Sequence, residues 1–263
     1  MSIESVFDPY SEEILKASAL PEHAGGAASG SVAFPERVIM TFSERILRQV
    51  ASMEGAEEIG FLLAGSKVPV YRIPLGLNGE GTPKFAAVVR TGMGAPMAAA
   101  FMEELIAKGG RRFIVFGSCG LLTGGLPPGH VIVPDRAWRD EGTSYHYAPA
   151  ADTIKLRNAF YIAGLLKGLD VPHTMGGIWT TDGLYRETVD NAGKRREAGC
   201  IAVDMECAAL QAVCDFRGCE LYQFVYAEDS LVDDQWDPRT MGKVPAVQME
   251  SHLQLAMEIA RRV

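Results

Sequence analysis

The chain has 263 residues, of which 48% are hydrophobic and 22% are charged, and its formal net charge is −8 at pH 7. This composition is typical of a folded globular protein, and the length is sufficient for one large α/β domain. The negative charge argues against non-specific binding to nucleic acid or to an anionic membrane, since both need a basic surface. The net negative charge does not exclude a local pocket that binds a small anion.

The predicted elements follow an irregular N-terminal segment, residues 1–34, which contains the flexible glycine-rich stretch 25–30. Strands and helices then alternate over residues 35–263 without a repeat or a break in composition, which predicts one domain. The predicted strands are 37–40, 59–64, 70–75, 85–90, 112–116, 130–134, 171–178, 200–203 and 220–226. The predicted helices are 44–53, capped by Ser43, 95–108, ended by Gly109-Gly110, 152–167, 206–217 and 244–262. This alternation is typical of a largely buried central sheet covered by helices.

The sequence shows no pattern of a secreted, membrane-spanning or zinc-binding protein. Its first residues lack a basic segment and an apolar core of signal-peptide length, and no apolar run approaches the roughly 18 residues of a membrane span. The five cysteines form no CxxC pair, and Cys207 and Cys214 fall on one apolar helix face. We therefore expect reduced core cysteines, a cytoplasmic location and no metal, because the five histidines are also scattered.

Glycine-containing turns are predicted after three strands, at residues 91–94 (TGMG), 117–120 (GSCG) and 124–125 (GG). Two of them follow apolar strands, which is where open α/β sheets bind ligands. Backbone N–H groups and the Ser118 hydroxyl there are suited to an anion. The alternative is that these glycines only allow turns that need a positive φ.

Two carboxylates flank a methionine at the predicted junction between a strand and a helix, in Val203-Asp204-Met205-Glu206. A carboxylate beside an apolar core is costly unless a hydrogen-bond donor satisfies it. A bound polyol is one such donor, because one carboxylate accepts hydrogen bonds from two vicinal hydroxyls. The alternative is that Asp204 or Glu206 caps the N-terminus of the helix, where negative charge is favourable.

Four blocks taken together resemble the nucleoside phosphorylase family, which holds uridine phosphorylase, the hexameric bacterial purine nucleoside phosphorylases and the methylthioadenosine nucleosidases. The blocks are residues 91–94, 117–120, 180–185 (TTDGLY) and 203–206 (VDME), and their order and spacing match the family over about residues 35–262. The resemblance implies a catalytic domain at 35–263 with a single-domain, three-layer α/β/α fold and a central mixed, partly barrel-like sheet. It also implies a dimer-based homo-oligomer, possibly a hexamer, with active sites near subunit contacts.

The resemblance assigns roles to ten positions of this chain. Those implied for ribose are Met93, Met205 and Glu206; for the base Cys119, Gly120, Tyr185 and Asp229; and for phosphate Arg45, Gly92 and Ser118. Glu206 would accept hydrogen bonds from the 2′- and 3′-hydroxyls, and Asp229 would protonate the departing base, so these two are the expected catalytic residues. The residue types suit the chemistry, because cleavage of an N-glycosidic bond builds positive charge on the sugar and negative charge on the base.

The chain departs from the family at the expected phosphate site. The Gly-Asp-Pro-x-Arg loop of the phosphorylases is replaced by residues 40–45, of which only Arg45 matches, and Val115 stands where a second arginine is usual. A lost charged donor weakens anion binding substantially. Arg90 and Arg72 are the candidates for compensating it.

Further departures concern the base and the neighbouring subunit. Asp8 stands where some members carry a histidine that reaches a neighbour's site, and Arg186-Glu187-Thr188 replaces the Gln-x-Arg pair that reads uracil. His146 matches a region of the uridine phosphorylases and is either structural or close to the site.

These features predict phosphorolysis of a nucleoside, with purine favoured over uridine, to give free base and ribose 1-phosphate. Inorganic phosphate would be the co-substrate, and no cofactor, nucleic acid or membrane partner is expected. Two alternatives remain open: a phosphate-independent nucleosidase, which would not need the missing arginine, and a non-catalytic nucleoside-binding protein.

Overall fold

A computed structural model gives the fold of the protein and describes residues 3–20, 33–62 and 67–263. The strands in this part of the chain are β1 (Arg37–Thr41), β2 (Glu57–Leu62), β3 (Val68–Leu77), β4 (Pro83–Arg90), β5 (Arg112–Leu121), β6 (Val131–Asp140), β7 (Thr153–Lys155), β8 (His173–Thr181), β9 (Cys200–Asp204) and β10 (Glu220–Ser230). The α-helices are α1 (Glu44–Ala51), α2 (Ala95–Lys108), α3 (Ser144–Tyr147), α4 (Ala159–Gly168), α5 (Val189–Glu197), α6 (Cys207–Arg217) and α7 (Ala246–Arg262).

All ten strands join one mixed sheet, ordered β10-β6-β8-β9-β5-β1-β4-β3-β2, with β7 paired to β6. Strand β10 also pairs in parallel with β5, so β10, β6, β8, β9 and β5 close into a ring. Strands β1, β4, β3 and β2 extend from that ring as an open sheet. The predicted mixed and partly barrel-like sheet is therefore confirmed.

The core lies along the strands that are covered by helices. Residues 38–40 of β1 and 113–116 of β5 are fully buried, since both strands have neighbours on each side in the sheet. Helices α1 and α7 pack against this part of the sheet, and α6 packs against β6 and β10 and also against α2. Such burial on both faces explains why these strands read as continuous apolar runs.

Local signals placed the first two helices well. The Ser43 side chain accepts a hydrogen bond from the Ile46 N–H and so caps α1, as predicted. Helix α2 has the predicted bounds, and Gly109 ends it with a φ of 124°, a conformation that favours glycine.

The prediction of a turn at residues 117–120 is wrong, because these residues continue strand β5. The parallel pairing with β10 runs from Arg112 opposite Glu220 to Leu121 opposite Ser230, with one bulge. Gly117 is there for close packing and not for a positive φ: a β-carbon on it would lie 2.7 Å from Cδ2 of Phe42. A positive φ is found instead at Gly94 and Gly125, in the other two predicted turns.

The predicted helix over 152–167 is wrong in its first part. Thr153–Lys155 pairs with β6 as strand β7, and the helix begins only at Ala159. The sequence also did not indicate α5, since Ala192 is its single buried residue and the helix therefore has no apolar periodicity. Most of the remaining predicted strands extend further than expected, because pairing with neighbours continues beyond the apolar residues.

The N-terminal segment contains two short 3₁₀ helices in its described part, Ile3–Ser5 and Ala17–Ala19. The glycine-rich stretch 25–30 and the last two residues of the predicted strand 59–64 lie outside the described residues. The boundary at residue 34 stays a prediction. None of the helices described has the length and apolar character needed to cross a membrane.

Candidate active site

The four sequence blocks meet where several strands end. The carboxyl ends of β4, β5 and β10 lie side by side through parallel pairing with β1 and with each other. The end of β9 joins them because Val203 pairs with Gly120 of β5. The end of β8 follows through the pairing of Thr180 with Asp204. One edge of the sheet thus gathers residues that are far apart in the sequence.

Asp204 has a structural role at this edge, as the cap of α6. Its Oδ2 accepts hydrogen bonds from the N–H groups of Glu206 (3.2 Å) and Cys207 (2.8 Å), and its Oδ1 accepts one from the Thr180 hydroxyl (2.7 Å). Burial raises the pKa of Asp204 above its usual range, although these three donors oppose the shift. The capping alternative is therefore correct for Asp204.

Glu206 does not cap the helix, although it stands at the N-cap position. Its side chain turns toward the 91–94 loop, where Oε1 accepts a hydrogen bond of 2.6 Å from the Gly94 N–H. The side chain is buried, and burial, followed by the nearby Asp204 carboxylate, raises its pKa well above the usual value. A carboxylate held in this way is stabilised by any ligand that brings further hydrogen-bond donors.

Two methionines are near Glu206 in different ways. Met205 precedes it in the chain, and Met93 precedes Gly94, the residue whose N–H donates to Glu206. Met205 is half-buried at the β9–α6 junction, and Met93 is 68% exposed on the loop that Gly94 ties to Glu206. The contact of Met93 and Met205 with ribose, which the resemblance implied, stays a prediction.

Asp229 lies beside Gly120. A β-carbon built on Gly120 would be 3.4 Å from Oδ1 of Asp229 and 2.9 Å from side-chain atoms of Val203 and Leu231, so a larger residue does not fit there. The other oxygen of Asp229, Oδ2, accepts a hydrogen bond of 2.8 Å from Nε1 of Trp236. Asp229 therefore has one oxygen fixed by an indole and the other turned toward the β5 backbone.

Two other residues expected at the base, Cys119 and Tyr185, do not turn their side chains toward a common pocket: the first is buried in the core and the second is exposed. The Cys119 thiol is buried in the main core and donates to the Tyr226 carbonyl (3.5 Å), so only the Cys119 backbone remains available to a base. Burial, followed by nearby carboxylates, raises the pKa of this thiol well above its usual range. Tyr185 lies on the 3₁₀ helix Leu184–Arg186 and is 95% exposed, so the single chain does not bring it into a pocket.

The expected phosphate residues Arg45 and Ser118 line the same cavity, which has a volume of about 320 Å³. The other lining residues are Phe42, Ser43, Tyr226, Glu228, Gly242, Val244 and Met249. Arg45 donates a weak hydrogen bond of 3.4 Å to the Val244 carbonyl. Gly92 is not among the lining residues; it packs against Met97, whose Cγ would lie 2.6 Å from a β-carbon on the glycine.

The candidates for a second phosphate arginine are already engaged. Arg90 forms an ion pair with Glu44 (3.1 Å), and Arg72 forms one with Glu57 (3.0 Å). Val115 is fully buried in β5 and is not among the residues that line the cavity. The Arg45 guanidinium therefore faces the cavity without either of the arginines considered from the sequence.

Acidic residues surround the Glu206 carboxylate. Asp182 accepts a hydrogen bond from the Gly142 N–H (2.9 Å), and its charge further raises the pKa of Glu206. Glu141 is buried, has an Oε1 without a hydrogen-bond partner, and further raises the pKa of Asp204. No group of three or more His, Cys, Asp and Glu side chains within the described ranges has the geometry to hold a metal ion.

Two residues that the sequence analysis left open lie at the surface. His146 is exposed on α3. Asp8 is also exposed and accepts hydrogen bonds from the Tyr10 and Ser11 N–H groups, so within its own chain it stabilises a turn.

The sequence analysis named Glu187 only as part of the departure at 186–188, and it did not name Trp236. Glu187 is half-buried, and burial, together with the charge of Asp229, raises its pKa to about 7. Trp236 holds Asp229 by its indole. Trp236 lies in no recognisable block, so only the fold reveals its contact with Asp229.

A family model described as the phosphorylase superfamily matches residues 26–261. The chain belongs to the phosphorylase superfamily.

Among curated relatives, a DeoD-type purine nucleoside phosphorylase of Bacillus cereus is 35% identical over 143 residues. This match covers 52% of the chain but only 60% of the length of that relative. A DeoD-type purine nucleoside phosphorylase of Bacillus cytotoxicus is 28% identical over 193 residues, covering 71% of the chain and 80% of the relative.

Solved structures show the same fold. A uridine phosphorylase from Vibrio fischeri ES114 is 23% identical with a TM-score of 0.63, over 87% of this chain and 88% of that one. A purine nucleoside phosphorylase from Toxoplasma gondii, in complex with immucillin-H, is 20% identical with a TM-score of 0.68, over 88% and 94%. The fold predicted from the four blocks is therefore confirmed.

Proposed function

We propose that the protein cleaves the N-glycosidic bond of nucleosides by phosphorolysis, giving free base and ribose 1-phosphate, and that it prefers purine nucleosides to uridine. The observation that carries this proposal is the arrangement along β5. Ser118 lines the Arg45 cavity, and Gly120, two residues further on, lies beside Asp229. Residues two apart in a strand face the same side and are separated by roughly 6–7 Å. An anion cavity and an acid for the base thus lie about one sugar apart.

Glu206 supplies the ribose contact in this arrangement. Its buried carboxylate has one oxygen on the Gly94 N–H, and the 2′- and 3′-hydroxyls would provide the remaining donors. Such a carboxylate positions the sugar and stabilises the positive charge that develops as the bond to the base breaks. Asp229 would donate a proton to the leaving base from Oδ1, because Trp236 occupies Oδ2.

Phosphate would be the nucleophile, bound by Arg45, Ser118 and the backbone of residues 92–94, with no cofactor. The support is that the Arg45 and Ser118 side chains share one cavity. A charged donor of this kind contributes strongly to anion binding. The preference for purine is supported by the 117–120 block, by Asp229 and by the two curated relatives that are named purine nucleoside phosphorylases.

A nucleosidase that uses water is the second candidate, and a specific observation favours it. Glu228 also lines the Arg45 cavity, and a carboxylate there opposes a bound anion. Among the described residues that line this cavity Arg45 is the one arginine, and Val115 stands where the family places a second. The two functions differ in whether phosphate is consumed.

We also propose that the chain acts in the cytoplasm as a dimer-based homo-oligomer, possibly a hexamer. The apolar Met93 and Tyr185 side chains, both expected at the ligand, are exposed in the single chain, so a neighbouring subunit would complete the pocket. Light scattering coupled to size-exclusion chromatography tests the assembly, and a monomer at micromolar concentration that is fully active would contradict it.

The experiment for the proposed activity is a panel of inosine, adenosine, guanosine, uridine and thymidine assayed with phosphate, in the wild type and in two arginine variants. Arg45→Ala should raise the KM for phosphate tenfold or more, as expected for a lost charge-assisted contact. Arg48→Ala is the matched control, because Arg48 is on the same helix but is exposed and paired with Glu44. Equal phosphate KM values in the two variants would contradict the phosphate role of Arg45. Uridine turning over far faster than every purine would contradict the base preference.

A further inference from the structure

Glu228 brings a carboxylate to the cavity that holds Arg45 and Ser118. Among the described residues that line this cavity, Glu228 is the one acid and Arg45 is the one base. Oε1 of Glu228 accepts a hydrogen bond of 3.1 Å from the N–H of Gly242, which lines the same cavity. Burial, followed by the charge of Glu228, raises the pKa of Tyr226, another lining residue. These observations place the carboxyl group of Glu228, and not only its backbone, at the wall of the cavity.

Arg45 and Glu228 share the cavity without pairing with each other. Within the described part of the chain neither forms an ion pair, and Arg45 instead donates a weak hydrogen bond of 3.4 Å to the Val244 carbonyl. The second oxygen of Glu228, Oε2, has no donor among these residues. The cavity of about 320 Å³ has room for a tetrahedral oxyanion, since a water molecule takes up roughly 30 Å³. An oxyanion there would meet a cationic donor and an anionic acceptor together.

Two hydroxyl groups of the cavity are available as donors. Oγ of Ser43 already accepts a hydrogen bond from the Ile46 N–H (3.3 Å), so its O–H remains to donate. The Ser118 hydroxyl can donate as well. An anion without protons would use these donors and Arg45, but it would meet only repulsion at Glu228. An anion that carries a proton can donate a hydrogen bond to Oε2 and so satisfy both kinds of group in the cavity.

We propose that Glu228 is a specificity-determining residue that selects protonated oxyanions, so that the cavity binds phosphate and rejects sulfate. This inference rests on the proposed function, in which phosphate is the co-substrate. Near neutral pH inorganic phosphate carries one or two protons, whereas sulfate carries none. The HPO₄²⁻ ion and sulfate have the same charge and the same tetrahedral shape, so the proton is the feature by which a carboxylate distinguishes them. An ionised carboxylate only accepts hydrogen bonds, and an O–H···O⁻ bond is among the stronger ones.

The same contact makes an acidic group in the cavity compatible with phosphorolysis. The hydrogen bond from a protonated phosphate to Glu228 replaces repulsion by attraction, so the carboxylate that opposes an unprotonated anion favours the co-substrate. Specificity is a difference between two affinities, and it grows when the wrong ligand is penalised as well as when the right one is bound. Sulfate would leave the carboxylate unpaired beside a second negative charge, and this penalty supplies the discrimination.

The test measures the binding of phosphate and sulfate by calorimetric titration at neutral pH and equal ionic strength, in the wild type, in Glu228→Gln and in Glu250→Gln. In the wild type the Kd for sulfate should exceed that for phosphate about tenfold or more. In Glu228→Gln the two values should differ by less than about threefold, because the amide keeps an acceptor for the Gly242 N–H and offers sulfate a donor. Glu250→Gln removes the same charge from an exposed position on α7 and should behave like the wild type.

An equal ratio of the two Kd values in the wild type and Glu228→Gln would overturn the assignment. If Glu228→Gln bound both anions more tightly by the same factor, the carboxylate would only repel anions, which would overturn the assignment and favour the nucleosidase. A wild type that binds neither anion would overturn it as well. Glu228→Ser removes the carboxylate with a smaller side chain and should lose the selectivity in the same way, so the test does not depend on one variant being folded.

The titration needs no turnover, so it decides the inference separately from the proposed function. Ribose 1-phosphate formed by a protein that does not discriminate between the anions would leave the proposed function intact and overturn the role of Glu228. Free ribose released at a rate that does not depend on phosphate would refute phosphorolysis, while a selectivity that disappears in Glu228→Gln would still support the role of Glu228 in anion binding.

Discussion

Replacing Glu206 with glutamine tests the ribose contact with almost no change in shape. The glutamine carbonyl can keep the 2.6 Å hydrogen bond from the Gly94 N–H. The second oxygen, however, becomes an NH₂ group that cannot accept from a ribose hydroxyl. Losing a charged, buried contact of this kind costs about 2–4 kcal/mol, so kcat/KM should fall roughly 30- to 1000-fold.

The same substitution should leave the fold intact and change how the free energy of unfolding depends on pH. Burial and Asp204 raise the pKa of Glu206 in the folded state above its usual value. Above the ordinary pKa of a glutamate, the Glu206 carboxyl ionises readily only in the unfolded chain. Raising the pH through this range therefore lowers the stability of the folded state. The glutamine variant lacks this penalty. Relative to the wild type it should gain stability between pH 5 and pH 8, on the order of 1 kcal/mol or more in urea unfolding.

Deoxynucleosides show whether the lost activity comes from the hydroxyls. With a ribonucleoside the variant should show the full loss, whereas with the matching 2′,3′-dideoxynucleoside the two proteins should differ by less than about threefold, since no hydroxyl remains to bind. An equal loss on both substrates would mean that Glu206 acts through the 91–94 loop alone, which would refute the ribose contact. Wild-type kcat/KM in the variant would refute it as well.

Two further substitutions test the geometry around Asp229. Gly120→Ala should destabilise the fold by about 1–3 kcal/mol and lower activity, because its β-carbon would lie 2.9 Å from both Val203 and Leu231; thermal unfolding measures this, and an unchanged Tm would contradict the packing. Trp236→Phe removes the 2.8 Å hydrogen bond to Asp229 and should lower kcat/KM about 2- to 10-fold. That loss should vanish in an Asp229→Asn background, and an equal loss there would show that Trp236 acts independently.

The sequence was informative where local signals and burial agree. The apolar run of β1, the Ser43 cap and the glycine after α2 all specify their elements locally, and the structure confirms each of them. It misled where long-range pairing decides the conformation. Residues 117–120 contain two glycines and look like a turn, yet pairing with β10 holds them in a strand. Helix α5 has too few buried residues to produce a periodic pattern.

In the candidate site, too, the sequence was informative about local features and not about long-range contacts. The block at 203–206 indicated both a cap and a ligand-binding carboxylate, and the structure assigns the cap to Asp204 and turns Glu206 toward the 91–94 loop. The bond between Glu206 and Gly94 joins residues 112 positions apart, which no local pattern specifies. The hydrogen bond between Trp236 and Asp229 likewise becomes visible only in the fold.

Phosphorus NMR of the reaction products tests the central claim most directly. A purine nucleoside is incubated with the wild-type protein and inorganic phosphate, and free ribose is measured in parallel. Phosphorolysis predicts a ribose 1-phosphate signal that grows in step with the released base and is absent when phosphate is omitted. Free ribose formed at a rate that does not depend on phosphate would contradict phosphorolysis and establish the nucleosidase.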